Sequence, residues 1–293
     1  MRHFSAGRLI GVLAMLLPVV ALLSLTVGTV SISWVEALRA VVGSSSTTQI
    51  DTILFDIRLP RILLAIFVGA VLATTGAVMQ GLFRNPLADP SLIGVSSGAS
   101  VGASLMIVTA GGFIQGGALV GISLVSIGAF VGGFTATLLV YRLATSGMGT
   151  SVTTMLLAGI AIGALAGALN SLLSYFSDND MLRQISLWQM GNLSGASWLK
   201  VSIMGVVTIL LMGLFPRDSR ALNALLLGES EARHLGINVQ RVKRRLIVLT
   251  ALGVGVSVAV AGLVGFVGLI MPHIIRLMIG PDHRWLIPAS GLA

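Results

Sequence analysis

Leu9 to Val30 is an uncharged, mostly apolar run of 22 residues. About 20 such residues, wound as a helix, cross the hydrocarbon core of a bilayer. Similar runs recur along the chain, and this recurrence is the strongest constraint on the fold. A backbone in lipid must satisfy its own hydrogen bonds, so only helices or a closed barrel will serve. Barrel strands alternate apolar and polar residues, and these runs do not. A signal peptide is the other reading of Leu9 to Val30, but signal cores span only about 7–15 residues. The chain therefore reads as an all-α polytopic membrane protein, a single transmembrane domain over residues 1–293. Its charged residues are 10% of the total, against about 25% in soluble domains.

Six runs are expected to span the membrane on their own: Leu9–Val30, Ile57–Phe83, Ser91–Ala110, Ala118–Val140, Thr154–Tyr175 and Trp198–Phe215. Leu246 to Ile279 is long enough for two short spans if Gly262 and Gly265 supply a tight turn. The expectation is eight spans, with Trp285–Ala293 as the start of a ninth. Pro86 and Pro90 end one helix and reset the chain for the next. Gly94, Gly98 and Gly102, and Gly159, Gly163 and Gly167, form four-residue ladders that let helices approach closely. Ser177 to Ser197 is polar and aromatic and reads in part as an interfacial helix.

Charge sets the orientation. With the N-terminus inside, 13 Lys/Arg fall on the inner side and five on the outer side, as the positive-inside rule requires. The net charge of +8 then belongs to a membrane face that anionic lipids favour, not to a nucleic-acid surface. Pro216 to Arg245 holds seven of these cations. Its middle reads as two short helices hinged at Gly228. The first is apolar yet too short to cross a bilayer, and a docked second protein is the simplest reason for an apolar helix there.

Catalytic chemistry is missing from the pattern. The chain has no Cys, so thiol and thiolate sites are excluded. It has no GxxxxGK[ST] and cannot hydrolyse a nucleotide by a P-loop. The four His are scattered, with no metal-binding pair. The span middles lack Asp, Glu, Lys and Arg, which argues against a self-sufficient ion-coupled carrier or channel. The reading is a transport body, not an enzyme, driven from elsewhere.

Several motifs at fixed spacing carry a family resemblance. Arg58-Leu59-Pro60-Arg61 comes first. Gly76-Ala77-Val78-Met79-Gln80-Gly81-Leu82-Phe83 runs into Arg84-Asn85-Pro86-Leu87-Ala88-Asp89-Pro90. Leu227-Gly228-Glu229 follows with Ala232 and Leu235-Gly236, then Gly265-Phe266-Val267-Gly268-Leu269-Ile270 with Pro272-His273 and Arg276. Together they resemble the FecCD-type permeases of bacterial ABC importers for iron-siderophores, haem and cobalamin.

The resemblance implies a type II importer permease bundle in the bacterial inner membrane, with a cytoplasmic N-terminus. It implies a second copy of the chain, two ATPase subunits that use ATP and Mg²⁺, and a periplasmic substrate-binding protein. No cofactor or metal is implied for this chain, and no nucleic acid. The family has ten spans, so eight and a cut ninth suggest truncation relative to the native product. Arg58 and Arg61 match arginines that receive the binding protein. At a helix start the dipole disfavours cations, which favours docking over simple anchoring. Residues 216–245 match the coupling segment, with Leu222, Leu225, Leu226, Leu227, Gly228, Glu229, Ala232, Arg233, Leu235 and Gly236 facing the ATPase. Glu229 and Arg233, four apart, are placed to brace the second helix. Ser151, Thr153 and Thr154 fall near the cytoplasmic gate; a helix-start cap is the alternative. Asp180-Met181-Leu182-Arg183 and Leu187 to Trp198 most resemble the haem branch, with ferric siderophore and then cobalamin behind.

Overall fold

A computed structural model describes residues 5–28, 30, 32–41, 48–114, 118–147 and 149–293. Among the described residues the secondary structure is helical except for one two-stranded hairpin. Helix α1 is Ala6–Thr26, α2 is Trp34–Val41 and α3 is Thr48–Asp51. A π-helical run, Thr52–Arg58, leads without a break into α4, Leu59–Leu82. Next come α5 (Val95–Ile114) and α6 (Ala118–Leu143). Strands β1 (Thr145–Ser146) and β2 (Gly149–Thr150) form the hairpin before α7 (Val152–Tyr175). Then follow α8 (Asn179–Gln189), α9 (Trp198–Leu214), α10 (Ser219–Leu227), α11 (Glu229–His234), α12 (Val239–Ala261), α13 (Val267–Ile279) and α14 (His283–Leu292).

Helix α4 is the axis of the bundle. From Ala70 to Leu82 every residue is buried, and α9, α12, α13 and α14 all pack on it. Small residues make that possible. A Cβ on Gly76 would lie 1.8 Å from the Gly268 carbonyl oxygen of α13. Helices α5 and α6 are joined in the same way: a Cβ on Gly102 would lie 2.0 Å from the Gly128 oxygen, and one on Gly98 2.3 Å from the Gly132 oxygen. The Gly94 ladder is thus a packing device. In the second ladder only Gly159 makes such an approach, 1.9 Å from the Leu92 oxygen, while Gly167 faces open space.

The expected count of eight spans and a cut ninth is corrected. Among the described residues, six helices are long and apolar enough to cross a membrane: Ala6–Thr26, Gln49–Leu82, Leu124–Leu143, Val152–Tyr175, Trp198–Leu227 and Val239–Ala261. Val95–Thr109 and Val267–Ile279 are apolar but shorter. Thirteen residues of α13 rise only about 20 Å, against a hydrocarbon core of about 30 Å. The turn before α13 lies where Leu246–Ile279 was expected to turn, between Ala261 and Val267. It uses Gly262 (φ 72°) and, in place of Gly265, Phe266 at φ 66°. Trp285 to Leu292 lies in α14, a ten-residue helix that packs on α4 with Leu286, Ile287, Ala289 and Ser290 buried.

Contacts fix the relative directions of the helices. Gly205 of α9 lies against Phe67 of α4, and Lys200, at the start of α9, reaches the Val260 carbonyl oxygen at the end of α12. Gly253 of α12 lies against Leu211, Val71 and Thr75. Helices α4 and α9 therefore run parallel and α12 runs against them. The C-terminal ends of α4 and α9, the start of α12 and the helices α10, α11 and α14 share one end of the bundle. Arg58, Lys200 and α8 lie towards the other.

Candidate functional site

Helices α10 and α11 form the joint expected at Gly228. Helix α10 stops at Leu227, Gly228 adopts φ 123° and ψ 156°, and α11 starts at Glu229. A positive φ of this kind suits glycine, which has no Cβ to clash. The leucines divide into two groups. Leu222 and Leu225 are buried in the chain's own core, as is Ala232, so they hold the segment down. Leu227 and Leu235 are 69% and 65% exposed, and Leu226 lies at the boundary. Leu227 and Leu235 line one shallow depression with Arg220, Asp282 and Arg284. Arg233 and Gly236 are exposed. The surface available to a partner is therefore narrower than the sequence pattern: three leucines with a charged rim.

Three polar ties hold this segment on the bundle, and sequence reading assigned none of them. Asp218, which precedes α10 and is buried, pairs with Arg245 of α12. Asn223 grips the turn before α14. Its amide nitrogen donates to Asp282 Oδ1 at 2.7 Å, which leaves its oxygen to accept from the His283 backbone N–H at 2.9 Å and from His283 Nδ1 at 2.8 Å. His283 is fully buried, with its ring against Gly81 of α4. Burial first, then the charge of Arg276, lowers its pKa to about 4. The ring is held neutral, with the proton on Nδ1.

The third tie is Lys243. Its side chain is 2% exposed. Nζ lies 2.5 Å from Glu229 Oε1 and donates to the Thr150 carbonyl oxygen at 2.8 Å. Glu229 also makes the expected contact with Arg233, at 3.6 Å. The Thr150 N–H donates to Gln240 Oε1 at 2.9 Å. A buried ammonium needs such partners, because stripping water from an unpaired charge costs several kcal/mol. Only the pairing of distant elements reveals this site. Along the sequence Lys243 is one cation in a basic run.

Ser151, Thr153 and Thr154 follow directly. Ser151 caps α7: its Oγ accepts from the Thr154 N–H at 3.3 Å and lies 3.0 Å from Thr154 Oγ1. The helix-start cap is thus present, and all three side chains are exposed. They sit beside the Lys243 tie, since Thr150 precedes Ser151.

Arg58 and Arg61 lie at the other end and behave differently from each other. The helix carrying them begins near Thr48, so neither stands at its positive end and the dipole argument does not apply. Arg58 turns back on α1 and donates from its guanidinium to the carbonyl oxygens of Leu25 and Val30. It satisfies the end of a helix, where a cation is favourable. Arg61 is exposed. On the same side Gln184, Trp188, Asn192 and Lys200 line a cavity of about 350 Å³ between α8, α9 and the end of α12. Among the described residues no group of three or more His, Asp or Glu is arranged to hold a metal ion.

The model of the FecCD transport family matches residues 16–293. The hemin transport system permease protein HmuU of Yersinia pestis is 43% identical over 286 residues, 97% of this chain and 83% of that protein. The cobalamin import system permease protein BtuC of Halobacterium salinarum is 42% identical over 250 residues, covering 85% of this chain and 65% of its own. The vitamin B12 import system permease protein BtuC of Salmonella arizonae is 39% identical over 281 residues, 96% and 80% of the two chains. Among solved structures, an inward-facing metal-chelate type ABC transporter superposes with a TM-score of 0.83 at 33% identity, over 98% of this chain and 86% of that one.

Proposed function

The chain belongs to the FecCD transport family as a membrane permease subunit of an ABC importer of the iron-chelate class, and from that premise we propose that its cargo is haem. One observation carries this reading: the similarity to the Yersinia hemin permease, which extends over nearly all of this chain. The outer Asp180–Arg183 and Leu187–Trp198 segments, which resemble the haem branch, support it. Cobalamin is the competing cargo, favoured by the similarity to the two cobalamin permeases, and ferric siderophores are the third.

In this proposal the end bearing α10 and α11 is cytoplasmic and receives an ATPase subunit on Leu226, Leu227 and Leu235. The excess of cations at that end supports the orientation, and the hold of Arg58 on Leu25, near the C-terminal end of α1, supports an N-terminus on the same side as α10 and α11. A second copy of the chain pairs across the membrane with this one. The unpartnered face of α7, with Leu157, Ile160 and Leu165 all more than 60% exposed, supports a lipid or subunit contact there. A periplasmic binding protein lands at the opposite end, at Arg61 with Arg58 beside it. Ser151, Thr153 and Thr154 stand at the inner mouth. ATP hydrolysis and its Mg²⁺ belong to the ATPase.

The test is uptake by proteoliposomes holding this permease, its ATPase and its binding protein. ATP-dependent entry of haem, with no entry of cyanocobalamin or a ferric hydroxamate, is expected. Entry of cobalamin in preference to haem would overturn the cargo assignment and leave the family unaffected.

A further inference from the structure

Lys243 joins three elements that are far apart in sequence. It projects from α12, its ammonium holds Glu229 at the first position of α11, and it holds the Thr150 carbonyl at the end of β2. Gln240, one turn earlier on α12, holds the N–H of the same Thr150. The peptide groups on both sides of Thr150 are thus fastened to α12. The next residue, Ser151, caps α7, and its N–H donates to the Ala144 oxygen at the end of α6 at 2.9 Å. The Thr145 and Thr150 hydroxyls lie 3.0 Å apart across the hairpin. The contact path from the partner-facing helix to the start of α7 is therefore Glu229, Lys243, Thr150, Ser151.

The chemistry of the tie makes it stiff. A buried ammonium that loses its carboxylate is left uncompensated, so Lys243 follows Glu229 or the pair must be re-solvated. The path also has a definite input. Arg233, four residues along from Glu229 on the same short helix, is 61% exposed, and Leu227 and Leu235 flank it in the surface open to a partner. A force on α11 therefore reaches Glu229 with little intervening structure.

We propose that Lys243 is a positioning residue that carries displacement of α11 to the start of α7, so that ATP hydrolysis at the α10–α11 surface moves the Ser151–Thr154 mouth. The inference rests on the reading of α10 and α11 as the ATPase contact. Its consequence is specific: without the tie the ATPase turns over while the mouth fails to follow.

The experiment measures cargo imported per ATP hydrolysed, in proteoliposomes of the complete importer, for wild type, Lys243→Met and Gln240→Ala. Hydrolysis is expected to stay near the wild-type rate in both variants. Import per ATP should fall about tenfold in Lys243→Met, within the usual range of coupling between sites, and less in Gln240→Ala, which keeps the ammonium's hold on the Thr150 carbonyl oxygen. A purely structural role would lower assembly, hydrolysis and import together and leave the ratio unchanged, and an unchanged ratio in both variants overturns the proposal. Should Lys243→Met fail to assemble, Gln240→Ala decides alone, because its side chain is half-buried and its loss leaves no unpaired charge. Failure of the wild-type chain to bind the ATPase would instead overturn the docking reading.

Discussion

Helices α4 and α7 look like siblings in the sequence. Each has 24 residues, each is uncharged beyond its first turn, and each carries three glycines. Their environments are opposite. The apolar window of the helix containing α4 is 67% buried and that of α7 is 17% buried. Hydropathy reports that a residue avoids water. It does not report whether protein or lipid replaces that water. Glycine contacts report the difference position by position: Gly76 and Gly81 of α4 and Gly159 of α7 meet neighbouring atoms, whereas Gly69 of α4 and Gly167 of α7 meet none.

This contrast can be broken at its strongest point. Gly76→Ala forces a Cβ into the α13 backbone at Gly268, which no rotamer change relieves. Stability in detergent is expected to fall by about 3 kcal/mol, the upper range for overpacking, read as a drop in thermal unfolding temperature. Acid probes the last turn of α4, where His283 packs on Gly81. His283 has a folded pKa of about 4, below the ordinary value near 6.5. A depressed folded pKa means the contribution is full above pH 6.5 and is lost as pH falls towards 4. The loss should be on the order of 2–3 kcal/mol at the bottom of that window, and His283→Gln should remove this part of the pH dependence in unfolding titrations.

Smaller effects should follow on α7. Gly159→Ala meets the Leu92 backbone oxygen and should cost about 1–2 kcal/mol, because the short 3₁₀ turn Pro90–Ile93 can shift more readily than α13. Gly167→Ala has open space around it. It should be neutral, or stabilising by up to about 1 kcal/mol through helix propensity. A large loss at Gly167, measured on the single chain, would show that α7 is more enclosed than its exposed leucines indicate.

Much of the fold was legible. The helical membrane class, the α5–α6 packing ladder, the Gly228 joint and the Glu229–Arg233 contact all follow from local rules of length, spacing and backbone freedom. The span count was not. Run length cannot tell α13, a short helix after a five-residue turn, from half of a double crossing. The division of leucines on α10 was hidden for a related reason: Leu222 and Leu225 are claimed by the chain's own core, and only tertiary contacts reveal which face is claimed. Lys243 was invisible because its two partners lie 14 residues before it and 93 residues before it. Arg58 was read from its motif as a docking arginine; its hydrogen bonds to the carbonyl oxygens of Leu25 and Val30, 33 and 28 residues before it, leave no mark in the sequence.

That last contact has a consequence for timing. Helix α1 is only 6% buried along its apolar window. Near Arg58 it is held by a small cluster of Leu25, Ile32 and Leu54 and by the guanidinium itself. An arriving carboxylate finds Arg61 free and must displace two carbonyl oxygens to reach Arg58. If a binding protein lands here, the arginines respond in sequence: Arg61 captures at once, and Arg58 exchanges only after the end of α1 lets go. Arrival and commitment would then be separate events, spaced by the lifetime of one helix end.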